Sequence, residues 1–278
     1  MTERLVFTIR LAAFLAVFLG IAVWEANRPR RKLLVRKVTR WANNLGLVVL
    51  NTVSTRLLLP ITAVGMAALA SERGWGLFQF LRWPEWFEVL LTVLILDLAI
   101  YAQHVLFHAV PILWRVHLVH HADLDFDVTT GLRFHTLEML LSALFKLGLT
   151  AALGPSVLAI VLFEVLLNAT AIFNHSNVKL PVTVDRWLRC IVVTPDMHRV
   201  HHSTDRRETG SNFGFNMPWW DFLFGTYLPQ PALGHAAMQI GVEGLRDEQL
   251  VDRLPGMLAL PFRANHQHAS IRSPDRSE

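Results

Sequence analysis

Eight histidines in this chain fall into three groups whose spacing suits metal binding. Two groups repeat the spacing His-x-x-His-His, and the third has two histidines four residues apart. The groups consist of His104 and His108, of His117, His120 and His121, and of His198, His201 and His202. On a helix, positions i, i+3 and i+4 lie on one face, so each group would present its imidazole rings on one side. Neutral imidazole binds iron, zinc, copper and nickel well, so the pattern predicts a metal site.

The number of histidines predicts more than one ion. Eight clustered rings exceed what one ion needs, and two ions that share eight to ten ring nitrogens fit the count. Two single histidines, His135 and His175, are either further ligands or packing residues held by hydrogen bonds. The other three, His235, His266 and His268, are expected to be surface residues. The predicted metal ligands are His104, His108, His117, His120, His121, His135, His175, His198, His201 and His202.

The composition indicates a membrane protein. Of the 278 residues, 53% are hydrophobic and 17% are charged, against about 25% charged in a typical soluble domain. The formal net charge is +4, and much of it lies beside apolar segments, so we expect anionic lipid headgroups as partners and no nucleic acid. The single cysteine, Cys190, excludes an intramolecular disulfide framework and a multi-cysteine zinc or iron–sulfur site.

Four apolar stretches are long enough to cross a bilayer, which takes about 20 residues. They cover residues 5–24, 45–70, 86–108 and 137–173. The last is broken at Gly154 and Pro155, and because proline ends or kinks a helix, it predicts a tight pair of short spans. No small-x-small cleavage site follows the first stretch, so we expect an uncleaved membrane helix. The predicted fold class is all-α, a multi-pass transmembrane helical bundle of about four to five spans.

Basic residues predict the orientation of these spans. Residues 28–40 contain seven lysines and arginines, whereas residues 71–85 are mixed in charge, so the first segment is expected on the cytoplasmic side. Counting onward places residues 104–135, and everything from 175, on that same side, in a cytosolic helical cap that carries the histidines. The predicted domains are residues 1–40, an N-terminal membrane helix and basic loop; residues 41–228, the membrane-embedded domain with its cap; and residues 229–278, a polar and partly disordered tail.

Polar residues accompany the histidines along two neighbouring spans. Asp97 lies on the helix face that carries the first histidine pair, and Glu164 and Asn168 lie on the face that leads to His175. Ionisable groups at membrane depth are costly and usually face the protein interior. We expect the two carboxylates either to hold histidine N–H groups or to join helices through hydrogen bonds. Asn174 is a further candidate, through a bridging water.

Taken together, these residues resemble the fatty acid hydroxylase/sterol desaturase superfamily of integral membrane di-iron enzymes. The resemblance covers residues 97–227 and begins with the box from His104 to His108. Its other motifs are the runs WRVHLVHHADLDFDVTTGLRFHTLE, NHSN, TPDMHRVHHS and SNFGFNMPWWDFLFGTY. One departure is Thr136, which stands where the superfamily often has proline after the histidine of R-H-P-x-E; here that histidine is His135.

The resemblance implies a chemistry that the histidines alone leave open. It implies two non-haem irons, O2 as co-substrate, and hydroxylation, or alternatively desaturation, of a lipid such as a sterol, a fatty acyl chain, or an ether or amino lipid. It also implies an external electron donor of the cytochrome b5, ferredoxin or reductase type. From the residues alone, a membrane zinc hydrolase and a non-catalytic metal-binding membrane protein remain alternatives. A zinc pair for hydrolysis would recruit bridging carboxylates, and Asp123, Asp125 and Asp127 follow the first triplet.

Overall fold

The computed structural model describes residues 3–81 and 83–263. These residues form fifteen α-helices and two 3-10 helices without a β-strand, which confirms the predicted all-α class. His266 and His268 lie outside the described residues. The α-helices are α1 (Glu3–Asn27), α2 (Lys37–Leu58), α3 (Ala63–Arg73), α4 (Leu77–Leu81), α5 (Glu85–Ala109), α6 (Pro111–His121), α7 (Thr136–Leu153), α8 (Val157–Asn174), α9 (Val182–Leu188), α10 (Pro195–His201), α11 (Arg206–Thr209), α12 (Trp219–Phe224), α13 (Gly234–Ala237), α14 (Glu248–Val251) and α15 (Leu254–Ala259); the 3-10 helices are Thr130–Leu132 and Leu260–Phe262.

Five stretches of the described residues are long and apolar enough to cross a membrane. They are Arg4–Asn27, Lys37–Leu81, Glu85–Ala109, Thr136–Leu153 and Val157–Asn174. The number agrees with the predicted four to five spans, and the chain is an integral membrane protein. With its 25 residues, α5 is about 37 Å long and exceeds the hydrocarbon core of about 30 Å.

The predicted span over residues 45–70 consists of two helices. α2 ends at Leu58, and α3 begins after Thr62, whose side chain accepts a hydrogen bond from the N–H of Gly65. Pro60 lies between them, and proline both lacks an N–H and disfavours helical geometry in the residue before it. The apolar composition is continuous here, but the helix is not.

The predicted break between the last two spans is confirmed. α7 ends at Leu153 and is capped by Gly154, which has a φ of +61°. Ser156 caps α8 by accepting a hydrogen bond from Ala159 N–H. A Cβ atom at Gly154 would lie 2.3 Å from the carbonyl oxygen of Trp75, so only glycine fits this turn. The tight turn makes α7 and α8 neighbouring antiparallel spans.

α8 lies at the centre of the bundle, where it packs against α1, α3 and α5. Its Ile160 and Phe163 are fully buried and share a core cluster with Leu96 of α5. The small residues Ala63 and Ala67 of α3 complete this cluster, which lets the helices approach closely. This packing fixes α5 and α8 side by side, and both helices carry histidines toward one end.

The segment assigned to a polar tail from residue 229 is packed onto the domain as far as the structure describes it. α14, α15 and the second 3-10 helix bury Val251, Met257 and Leu260 against Trp114 of α6. The backbone N–H of Leu254 also donates to the side chain of an asparagine in α2. The described part of this segment therefore contains short helices that were not predicted, because their apolar residues are too widely spaced to show a helical pattern by themselves.

Candidate metal centre

Nine of the ten predicted ligands lie in two buried groups. Within each group, the candidate ligand atoms all lie within 4.8 Å of one another. The five-histidine cluster consists of His104, His108, His117, His121 and His201, and the four-histidine cluster of His120, His175, His198 and His202. Each of these nine residues is at most 5% exposed, so both clusters are closed off from solvent.

Four helices position the two clusters. α5 supplies two rings four residues apart, and His175 caps the C-terminus of α8. α6 contributes His117 and His121 to the five-histidine cluster but His120 to the other one. Adjacent helix positions point about 100° apart, which explains how α6 serves two centres. The second triplet, around α10, is divided in the same way, so neither triplet belongs to one centre.

The ring nitrogens that face the cluster centres are closely spaced. Four pairs of Nε2 atoms are in contact: His104–His201 and His175–His198 at 3.0 Å, and His108–His121 and His120–His175 at 3.1 Å. Two nitrogens that bind one ion at about 2.1 Å and at a right angle lie about 3.0 Å apart. The observed separations therefore fit ligands in adjacent positions around a shared ion.

The other ring nitrogen faces a hydrogen-bond acceptor in five of the rings. The Nδ1 atom of His117 lies 2.6 Å from Oε1 of Glu138. Four Nδ1 atoms face backbone carbonyl oxygens: His104 that of Phe213 at 2.8 Å, His120 that of Arg133 at 3.2 Å, His175 that of Ala171 at 2.8 Å, and His201 that of Ser211 at 2.7 Å. A ring that donates through Nδ1–H carries its lone pair on Nε2. These contacts thus direct lone pairs to the cluster centres.

Burial keeps the clustered imidazoles neutral. It lowers the pKa of His117 and that of His175 from 6.5 to about 3. The pKa of His202 lies well below 6.5, first because the ring is desolvated and then because of neighbouring histidines such as His120. Metals bind the neutral ring, so these histidines do not have to lose a proton before they bind a metal at pH 7.

Among the described residues, Glu138 at the start of α7 is the carboxylate that contacts a cluster histidine, and it is not one of the site residues predicted from the sequence. It is 3% exposed and lies three residues after His135 in the run RFHTLE. A carboxylate that accepts from a ligating histidine fixes the ring's orientation and raises its basicity. The available signal was the i, i+3 spacing between His135 and Glu138 in the run RFHTLE.

The carboxylates that the sequence analysis did propose have other partners. Asp97 accepts from the backbone N–H groups of Asn216 and Met217 and from Nε1 of Trp220, which holds α12 and its preceding loop against α5. Glu164 forms ion pairs with an arginine of α1 and a lysine of α7, and Asn168 donates to the carbonyl of Glu164. They join elements of the bundle and touch no histidine of either cluster, since in each case nearer donors occupy their oxygens.

Two further predicted residues lie outside the clusters. His135 caps α7: its Nδ1 accepts from Leu137 N–H, and its Nε2 lies 3.3 Å from the carbonyl oxygen of Leu258. With both nitrogens engaged by backbone groups, His135 is left out of the ligand set that we propose below. Asn174 donates to the carbonyl of Phe215 and so holds the loop before α12.

The acidic residues after the first triplet bind arginine and backbone instead of facing the clusters. Asp123 forms a bidentate pair with Arg40, with both N···O distances 2.7 Å, and Arg40 also contacts Asp127 at 2.7 Å. Burial alone would raise the pKa of Asp123, but Arg40 and Arg133 hold it at about 2. Asp125 accepts from two backbone N–H groups before α2. This network ties α2 to the histidine-bearing loop.

Comparison with known proteins places this site in a family. The fatty acid hydroxylase family model matches residues 89–226. An ornithine lipid hydroxylase, OlsE, from Rhizobium tropici is 26% identical over 90% of this chain and 74% of its own length. Alkylglycerol monooxygenases from Xenopus tropicalis and Homo sapiens are 30% identical over 53% and 51% of this chain, and the matches span only 31% and 30% of those proteins.

No solved structure matches the chain significantly. The family match covers the whole segment that carries the nine clustered histidines. The chain accordingly belongs to the fatty acid hydroxylase family, as a membrane oxidoreductase of the lipid monooxygenase class.

Proposed function

We propose that the two clusters hold a pair of irons and that the protein uses them with O2 to hydroxylate a lipid. The observation that carries this proposal is the division of nine buried histidines into centres of five and four, at one end of a bundle with five candidate spans. Such a ligand set suits two ions that each take at least four nitrogens. Its location suits a substrate that arrives from the bilayer.

The number of ligand atoms supports iron over zinc. Zinc is usually bound by four ligands. Five histidine nitrogens lie together in one of the two clusters, one more than zinc usually takes.

The alternative functions have less support. A zinc hydrolase with two ions would need bridging carboxylates, yet the described residues place no carboxylate in either cluster, and Asp123 and Asp127 are held by Arg40. A metal carrier would need ligands along the membrane path. The described ligand groups instead lie together at one end of the spans.

The chain's own groups orient the ligands and exclude water. Bound iron would supply the O2-dependent oxidation of a C–H bond. Glu138 and the backbone carbonyls hold protons on the Nδ1 atoms, which leaves Nε2 free to bind. Phe107, Phe126 and Phe213 pack their rings against the histidines and keep the centre dry. Trp114 lies 4.9 Å from the ring of His108 and closes the side of α6.

We further propose an amino or ether lipid as substrate among the predicted lipid classes. Ornithine lipid and alkylglycerol are named in the relatives' activities, and the ornithine lipid hydroxylase aligns with nearly the whole chain. Hydroxylation is preferred to desaturation because both relatives are named for inserting oxygen. The proposal includes an external electron donor of the cytochrome b5, ferredoxin or reductase type. This donor would act on the cytoplasmic side, where the basic segment after α1 predicts the histidines to lie.

The test compares lipid extracts from cells with and without this chain by mass spectrometry, together with metal analysis of the purified protein. We expect about two irons per chain and a lipid that gains 16 mass units only when O2 is present. Activity without O2 would favour the zinc hydrolase. A metal-loaded protein with no altered lipid would favour the non-catalytic alternative, and an iron-free active protein would contradict the proposal.

A further inference from the structure

A second group of charged side chains lies beside α10, apart from both histidine clusters. Asp196, in the first turn of α10, accepts from Nε of Arg30 at 3.1 and 3.0 Å and also from Nη1 of Arg199. The Nε2 atom of His235 lies 3.6 Å from the same carboxylate. His235 was expected at the surface, but it is 4% exposed, because α13 folds back against α10.

Several buried donors in this group have no acceptor. Among the described residues, the Nε–H groups of Arg31 and Arg199 and the one ring N–H of neutral His235 lack a hydrogen-bond acceptor. Arg199 is fully buried and donates from Nη2 to the carbonyl of Ser176, while Arg31 donates from Nη1 to the carbonyl of Met238. Buried N–H groups are normally paired, so this concentration of unpaired donors indicates an acceptor that the chain does not supply.

The charges are also unbalanced. The guanidinium group of Arg199 is repelled by those of Arg30 and Arg31. Two carboxylates face them, Asp196 directly and Asp125 toward Arg31, which leaves one excess positive charge. The excess charge lies on the partly buried Arg30 and Arg31, beside the buried Arg199, and an anion with two or more oxygens would balance this charge and pair the free donors.

We propose that Arg31, Arg199 and His235 form a binding site for one anionic group, a carboxylate or a phosphate, of a lipid headgroup. The height of the site in the membrane supports a lipid as the source. Arg30 and Arg31 follow Asn27, the last residue of the first span, so they lie where headgroups meet the bundle. Arg30 is 23% exposed at the side chain and leaves the group accessible from that level.

The site is adjacent to the four-histidine cluster. Cζ of Arg199 lies 5.2 Å from the ring centroid of Phe126, and that ring lies 5.1 Å from His202 and 5.7 Å from His175. One aromatic ring thus separates the anion site from the proposed metal centre. The inference extends the proposed function by naming the charge of the lipid that the protein holds, and it is tested by binding without turnover.

The first experiment titrates inorganic phosphate into the purified full-length protein by calorimetry. Arg31→Gln and His235→Gln should each weaken phosphate binding at least tenfold, because each removes a charge-assisted or buried donor. Arg28→Gln is the matched control, since Arg28 is exposed in the same basic segment, and it should stay within about twofold of wild type. Equal losses in all three variants would reveal diffuse attraction by the basic surface and overturn the site.

Asp196→Asn should change the affinity for phosphate in the opposite direction. It removes a negative charge that competes for the same donors, so phosphate should bind at least tenfold more tightly than in wild type. If these donors only form a structural ion cluster, the variant lowers the unfolding temperature and binds no phosphate, and the proposal fails.

A second measurement distinguishes the source of the anion. The unfolding temperature is compared in a non-ionic detergent that contains no phosphate group, with and without added phosphatidylglycerol. The anionic lipid should raise it for wild type and Arg28→Gln but not for Arg31→Gln. A site that binds phosphate but gives no such lipid effect takes a soluble anion, which would overturn the lipid assignment. Loss of oxygenase activity is not read in either experiment, so failure of the proposed function leaves both results interpretable.

Discussion

Replacing Glu138 with alanine should weaken the binding of one metal ion and spare the other. Oε1 of Glu138 lies 2.6 Å from Nδ1 of His117, and both side chains are buried. His117 belongs only to the five-histidine cluster. Removal of the acceptor leaves a buried N–H unpaired, at a cost of about 1–3 kcal/mol. Loss of such a partner typically lowers metal affinity by about 10–100-fold, which is the same range of free energy.

The assay measures iron per chain after equilibration with graded concentrations of a chelator. The release curve of wild type is the reference for both irons. Glu138→Ala should release one iron at a chelator concentration about 10–100-fold lower and then hold at about one iron per chain. The plateau, more than the overall loss, identifies which centre the carboxylate supports.

Glu164→Ala is the matched control. Glu164 is the other buried carboxylate of the last two spans, 5% exposed, and its partners are Arg10 and Lys146. Its loss should lower the unfolding temperature while the iron release curve stays that of wild type. The reasoning would be refuted if Glu164→Ala produced the same plateau, or if Glu138→Ala released both irons together.

Three other predictions follow from the described contacts. His135→Ala should keep both irons, whereas His175→Ala should lose the iron of the four-histidine cluster. Metal analysis of the two purified variants measures the iron per chain. Equal iron loss in both variants would contradict the proposed ligand set. Arg40→Met should destabilise the fold by about 3–5 kcal/mol, because it removes the bidentate partner of the buried Asp123 and leaves Arg133, 3.9 Å away, as its nearest cation. An unchanged unfolding temperature would contradict this prediction. Burial raises the pKa of Asp221 from 3.8 to about 6. Wild type should therefore lose stability relative to Asp221→Asn as the pH rises from about 4 to 6. A constant difference in unfolding temperature between the two proteins over that interval would argue against this.

The spans and the histidine boxes could be predicted from the sequence because both are local patterns. The turn at Gly154 and Pro155 was visible for the same reason, since the two residues stop a helix whatever surrounds them. Pro60 carries the same signal inside the stretch 45–70, where the continuous apolar composition led to one span in place of two helices. The C-terminal helices up to residue 262 show how short elements escape detection when their apolar residues are few.

The sequence by itself determined that imidazoles would lie on common helix faces, because the spacing of three and four residues fixes direction around a helix axis. Only the tertiary structure decided that each triplet is divided between two centres and that His175 completes one of them. It also decided that Glu138, and not Asp97, reaches a histidine. These outcomes depend on the rotation and depth of helices packed against one another by residues far apart in the chain, and local periodicity contains neither quantity.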